Sequence, residues 1–144
     1  MKQTLLIILL AAIISACGAK TAVQVNLLEV CSPDNQDKDV TASGYLDDGE
    51  KGLLCSNPGA KRMSCGYSVL TNPGGPKVFS AFIDNGNGAN QAEKMPAGYK
   101  KEDIKVRDEK ASVISLADKV KLTGRMTVLA NRMGCSMEVD KIER

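Results

Sequence analysis

Histidine and tryptophan are absent from this 144-residue chain. The missing histidine excludes Ser-His-Asp and Cys-His catalysis within the chain. It also removes the commonest metal ligand. Aromatic residues are few, with three tyrosines and two phenylalanines, so a stacking platform for single-stranded nucleic acid is short of rings. Neither sign of charge dominates. Beyond residues 1–16 there are 18 basic and 17 acidic side chains, a balance that argues against a general electrostatic nucleic-acid binder. Long apolar runs are lacking too. The run Leu5 to Ile14 is ten residues, and a membrane-spanning helix takes about 20.

That run has its own meaning. Lys2 gives a basic start, the apolar stretch follows, and Ile14-Ser15-Ala16-Cys17 ends it. A short apolar run behind a basic residue has the size of a signal-peptide core. Ile-Ser-Ala-Cys resembles the lipobox of bacterial lipoproteins. The resemblance implies that Cys17 carries diacylglycerol on its sulfur, that the chain is cut before it, and that the new amine is acylated. Residues 1–16 are then a signal peptide, 17–22 a lipidated N-terminus with a short tether, and 23–144 a single domain. Acyl chains worth roughly 0.8 kcal/mol per buried methylene give stable anchoring when three are present. Gly18 rather than aspartate follows the cysteine, which in Gram-negative lipoproteins resembles passage to the outer membrane. The expected location is the bacterial envelope, lipid-anchored to the outer membrane, facing the periplasm or the surface.

With Cys17 assigned to lipid, Cys31, Cys55, Cys65 and Cys135 remain. An even number in an oxidising compartment suggests two disulfides, with three possible pairings. Cys55 and Cys65 flank the turn signal Asn57-Pro58-Gly59, which favours a hairpin pair. Cys31 would then join Cys135 and tie the two ends together. A four-thiolate zinc site is the rival reading, but no Cys-x-x-Cys spacing occurs.

Along the chain, Asn26 to Val30 reads as a short helix capped by Asn26, followed by a polar loop from Ser32 to Lys38. Val40-Thr-Ala-Ser-Gly-Tyr-Leu46 and Val120-Lys-Leu-Thr-Gly-Arg-Met126 match each other in form. Both alternate with period two, as half-buried strands do. Both place a glycine on the inward face, where it marks a bend, a bulge or a barrel corner. Leu53–Cys55, Met63–Leu70, Lys77–Ile83 and Cys135–Ile142 read as further strands. Ile104–Arg107 and Ser112–Leu116 read as a hairpin around Asp108-Glu109-Lys110. Ala89 to Met95 reads as a helix ended by Pro96.

This order predicts a mainly β fold, a small Greek-key β-barrel with one or two short helices. Ser115 to Met126, with Ala117-Asp118-Lys119-Val120 and Gly124, resembles the entry to the fourth strand of OB-fold domains. Leu27 to Val30 followed by Val40 to Leu46 resembles the first strand of OB-like domains in bacterial lipoproteins. The stretch from Asn72 to Ala111 is long for that fold.

OB barrels bind across their second and third strands. Tyr67 falls there, with Lys61 and Arg62 in the adjoining loop, as a candidate binding face. Asp84 to Asn90 has the composition of a calcium loop, but positions three, five and twelve fall on Gly86, Gly88 and Met95, which supply no side-chain oxygen. Lys100, Lys101, Lys105, Arg107 and Lys110 alternate with acids, as on a solvated surface. Asp47, Asp48 and Glu50 form an acidic loop. The expectation is a non-enzymatic binding or accessory module for an envelope protein or glycan, with no cofactor, no metal and no nucleic-acid partner. The alternative is a sensor of small ligands or divalent ions in the periplasm. A hydrolase working with carboxylates alone is a third reading.

Overall fold

A computed structural model describes residues 21–56, 62–130 and 134–144. The signal segment, Cys17, Lys61 and the turn Asn57-Pro58-Gly59 lie outside them.

Nine strands are described: β1 (Val23–Gln24), β2 (Asp39–Asp47), β3 (Leu54–Ser56), β4 (Ser64–Leu70), β5 (Lys77–Asp84), β6 (Val106–Arg107), β7 (Val113–Ile114), β8 (Lys119–Val128) and β9 (Cys135–Glu143). Five of them form a closed ring in the order β2-β8-β9-β5-β4, with β4 returning to β2 through Leu46↔Val69 and its neighbours. The β5–β9 contact is parallel and the other ring contacts are antiparallel. This is the small OB-like β-barrel that the sequence predicts. β1 and β3 extend it at two edges.

Alternation explains the wall. On β8, Val120, Leu122 and Met126 are buried, while Lys121, Thr123 and Arg125 remain half-exposed. Val40, Ala42 and Leu46 on β2, and Phe79, Ala81 and Ile83 on β5, complete the same interior. The two matching segments pair with each other in antiparallel register. Val40 faces Gly124, Gly44 faces Val120, and Ala42 faces Leu122 at the centre. Each glycine lies where a further strand presses in. A Cβ on Gly44 would come within 2.6 Å of the Val69 side chain. One on Gly124 would overlap the Glu138 carbonyl oxygen and sit 2.8 Å from its carbon. There the register slips from Thr123↔Lys141 to Gly124↔Val139, so Asp140 bulges from the ladder.

Both expected disulfides are formed, Cys31–Cys135 and Cys55–Cys65. Asn26 caps a 3-10 turn at Leu27–Glu29, its side-chain oxygen accepting from the Leu28 amide at 3.0 Å. Ala89 to Met95 is not a helix. Asn90 adopts the left-handed conformation (φ 58°), and its side chain accepts from the Ile142 amide at 2.8 Å. Ala92 bridges Asn85 and Val106 instead of bonding along its own segment. The helical content among the described residues is three 3-10 turns, the others being Pro33–Asn35 and Lys101–Asp103. No helix there is long and apolar enough to cross a membrane.

The long stretch between β5 and β8 leaves the barrel at five strands and contributes Ala92, Ile104, Val106 and Ile114 to its core. Asp108 fixes the β6–β7 turn. It is 3 % exposed and accepts from the amides of Lys110 and Ser112 and from Arg144 Nε at 2.9–3.0 Å. Burial opposes its ionisation, but those donors outweigh it and hold the carboxyl below the usual aspartate range. A depressed pKa stabilises the fold above the unfolded value, and that stabilisation is lost as pH falls through the folded one. Asp108→Asn should therefore be less stable than the parent at neutral pH, with the gap closing as pH falls below the usual aspartate range. Urea unfolding across that range checks it; a gap independent of pH overturns it.

Candidate binding face

Side chains that point out of the barrel alternate with the core residues, and strand pairing lines them into rows. Leu54, Gly66, Phe82 and Glu138 follow one another across β3, β4, β5 and β9. Asp47, Ser68, Ser80, Ser136 and Thr127 form the adjacent row, crossing β2, β4, β5, β9 and β8. Leu54 is 71 % exposed. Phe82 leans over Gly66, whose Cβ position would lie 3.1 Å from the ring.

Two hollows meet at Phe82. One, of about 650 Å³, runs between the 47–52 loop and the Gly74-Gly75-Pro76 turn, over Gly66, Ser68 and Ser80. The other, of about 570 Å³, is bounded by Arg62, Ser64, Asp84, Ser136 and Glu138. A larger hollow of about 1210 Å³ lies beside the Cys31–Cys135 bridge, between segment 24–36 and Val128–Ala130, with Leu28 exposed at its edge.

The long stretch after β5 sets the wall of the first hollow. The Tyr99 hydroxyl accepts from the Leu53 amide at 2.7 Å and reaches Asp48 at 3.5 Å. Lys101 pairs with Asp47, whose hydrogen bond raises the lysine pKa. Those contacts fix the 47–52 loop over the sheet.

Tyr67, expected on this face, is 1 % exposed and belongs to the core. It shares the inward phase of Cys65 and Val69, so its ring cannot stack on a ligand. Burial pushes its phenol pKa well above the usual range, with Tyr99 and Asp48 adding to the shift. Its hydroxyl has no hydrogen-bond partner among the described residues. Arg62 is exposed and lies in the second hollow with Phe82, away from the role beside Tyr67 that the sequence suggests. Lys61 is outside the described residues.

Phe82 is the residue that sequence reasoning missed. The signal is there: Phe79, Ala81 and Ile83 share one phase of β5, and Phe82 is an aromatic on the opposite one.

The other charged segments are internally engaged. In and beside the Asp84–Asn90 loop, Asn90 Oδ1 accepts from Ile142 and Gln91 Oε1 from Gly88. No group of three His, Cys, Asp or Glu side chains placed to hold a metal occurs among the described residues. In the basic cluster, Arg107 and Lys105 pair with Glu93 at 2.6 and 3.6 Å, and the Arg107 hydrogen bond lowers the Glu93 pKa. Near the bulge, partial burial and the neighbouring Asp39 and Glu138 raise the Asp140 pKa, against Arg125, which lowers it.

No protein-family model matches the chain, and no curated protein matches it. Among solved structures, the chain is similar to an OBody bound to hen egg-white lysozyme, at 15 % identity over 76 % of this chain and 83 % of that one, with a TM-score of 0.35.

Proposed function

We propose that this protein is a lipid-anchored envelope module that binds a partner without catalysis, using the outer face of β3, β4 and β5. The observation that carries this reading is the open face itself. Phe82 and Leu54 stand outward between two hollows, on the strands where OB barrels bind. A chain without histidine cannot build a Ser-His-Asp or Cys-His set beside them. Two disulfides suit an oxidising compartment. The lipobox supplies the anchor at Cys17. Six residues from Cys17 to Val23 reach at most about 20 Å, which keeps the barrel next to the membrane. The partner is an envelope protein or a glycan.

Two measurements on the full-length chain in a Gram-negative host test this. Labelled palmitate should enter the protein, and Cys17→Ala should abolish the label and leave a precursor longer by the sixteen residues of the signal. Normal membrane partitioning of that variant rejects the anchor. A photoreactive phenylalanine analogue at position 82 should capture an envelope component, and one at Thr123, on the outer face of β8, should not. Equal capture from both positions rejects the binding face.

A further inference from the structure

Resting on the binding-module reading, we propose that the partner is an uncharged saccharide chain laid across the strands, with one sugar ring on Phe82. A pyranose presents an apolar C–H face and a rim of hydroxyls. It asks for an aromatic plane beside a set of small polar groups, and the two outward rows supply both. Ser68, Ser80, Ser136 and Thr127 follow in register across four strands. Strands lie about 4.8 Å apart, so the row spans about 14 Å. None of these four hydroxyls bonds another described residue. Phe82 stands in the neighbouring row, next to the bare backbone of Gly66.

Charge decides against the other polymers. Lys51, Lys77 and Arg62 share the two hollows with six carboxylates, two of which Lys101 reaches, so the face is acidic on balance. That balance disfavours nucleic acid and acidic glycans. A protein partner needs buried aromatic or aliphatic anchors, and in its apolar row this face offers only the exposed Leu54 and the half-buried Phe82.

The mature protein in detergent should be titrated with maltoheptaose, cellohexaose and chitohexaose, and with an acidic polysaccharide and an oligolysine peptide as controls. At least one neutral oligosaccharide should saturate the protein. Phe82→Ala should weaken it about tenfold, Phe82→Tyr should retain it, and the double variant Ser80→Val/Ser136→Val should weaken it about fivefold. Thermal melts of each variant without sugar separate lost binding from lost fold. Saturation by none of the three sugars, or binding that survives Phe82→Ala in a folded variant, overturns the proposal. If position 82 captures a protein while every sugar fails, the binding face stands and the saccharide falls. If neither is captured or bound, both readings fall together.

Discussion

The double variant Cys31→Ala/Cys135→Ala will unfold far more easily than the parent, losing about 4–5 kcal/mol. The bridge joins residues 104 apart, so it removes much of the freedom of the unfolded chain. In the chain-entropy account a longer closed loop contributes more. The folded side loses as well. Cys135 begins β9, and Cys31 follows Val30, which is fully buried. The bridge therefore pins the capped N-terminal turn to the barrel. A drop of roughly 10–20 °C in Tm is expected for a domain of this size. Cys55→Ala/Cys65→Ala is the internal control. That bridge spans 10 positions between adjacent strands and should cost less, roughly 3 kcal/mol. Equal losses from the two double variants in urea unfolding would show that loop length is not the governing term.

Gly124→Ala will be among the most damaging changes of a single atom group in this protein, costing about 3 kcal/mol. The added methyl meets the backbone of Glu138, not a side chain, so no rotamer relieves it. The strand must move or the Asp140 bulge must open. Gly44→Ala provides the comparison. Its methyl meets Val69 Cγ1 at 2.6 Å and the Leu70 carbonyl at 3.0 Å. A side chain can turn aside, so about 1–2 kcal/mol is expected. Chemical denaturation of both variants ranks them. A Gly124→Ala cost no larger than that of Gly44→Ala would mean that the bulge yields freely.

These two glycines also mark where the sequence stops being informative. They occupy the same place in two matching segments, and period-two alternation assigns both to the inward face. Nothing local says that one meets a valine side chain and the other a carbonyl, because that depends on the strand arriving from elsewhere. The five ring strands were legible, since each carries a long apolar phase; β1, two exposed residues, was not. A small barrel followed from strand order, its OB-like character from the resemblance carried by Ser115 to Met126, and both disulfides from the four remaining cysteines and the turn between Cys55 and Cys65. Ala89 to Met95 was misread because its helix-forming composition is overridden by Asn90, which bonds Ile142. On the candidate face the error was one of phase. Tyr67 alternates with Cys65 and Val69, and the same rule that places it inside turns Phe82 out. The latch by Tyr99 and Lys101 had no sequence signal, because it joins residues about fifty positions apart.

The central seam of the barrel bears on how the protein comes into being. β2 meets β8 through pairs such as Thr41 and Thr123, whose hydroxyls touch across 82 positions of chain. β2 is synthesised early, and the strand that covers that side arrives only in the last quarter of the chain. Until then β2 keeps an open edge able to pair with another molecule. The β8 side of β2 therefore waits open while most of the chain is made. The ring can shut only once β8 and β9 have both been made, which makes assembly a vulnerable moment for this fold.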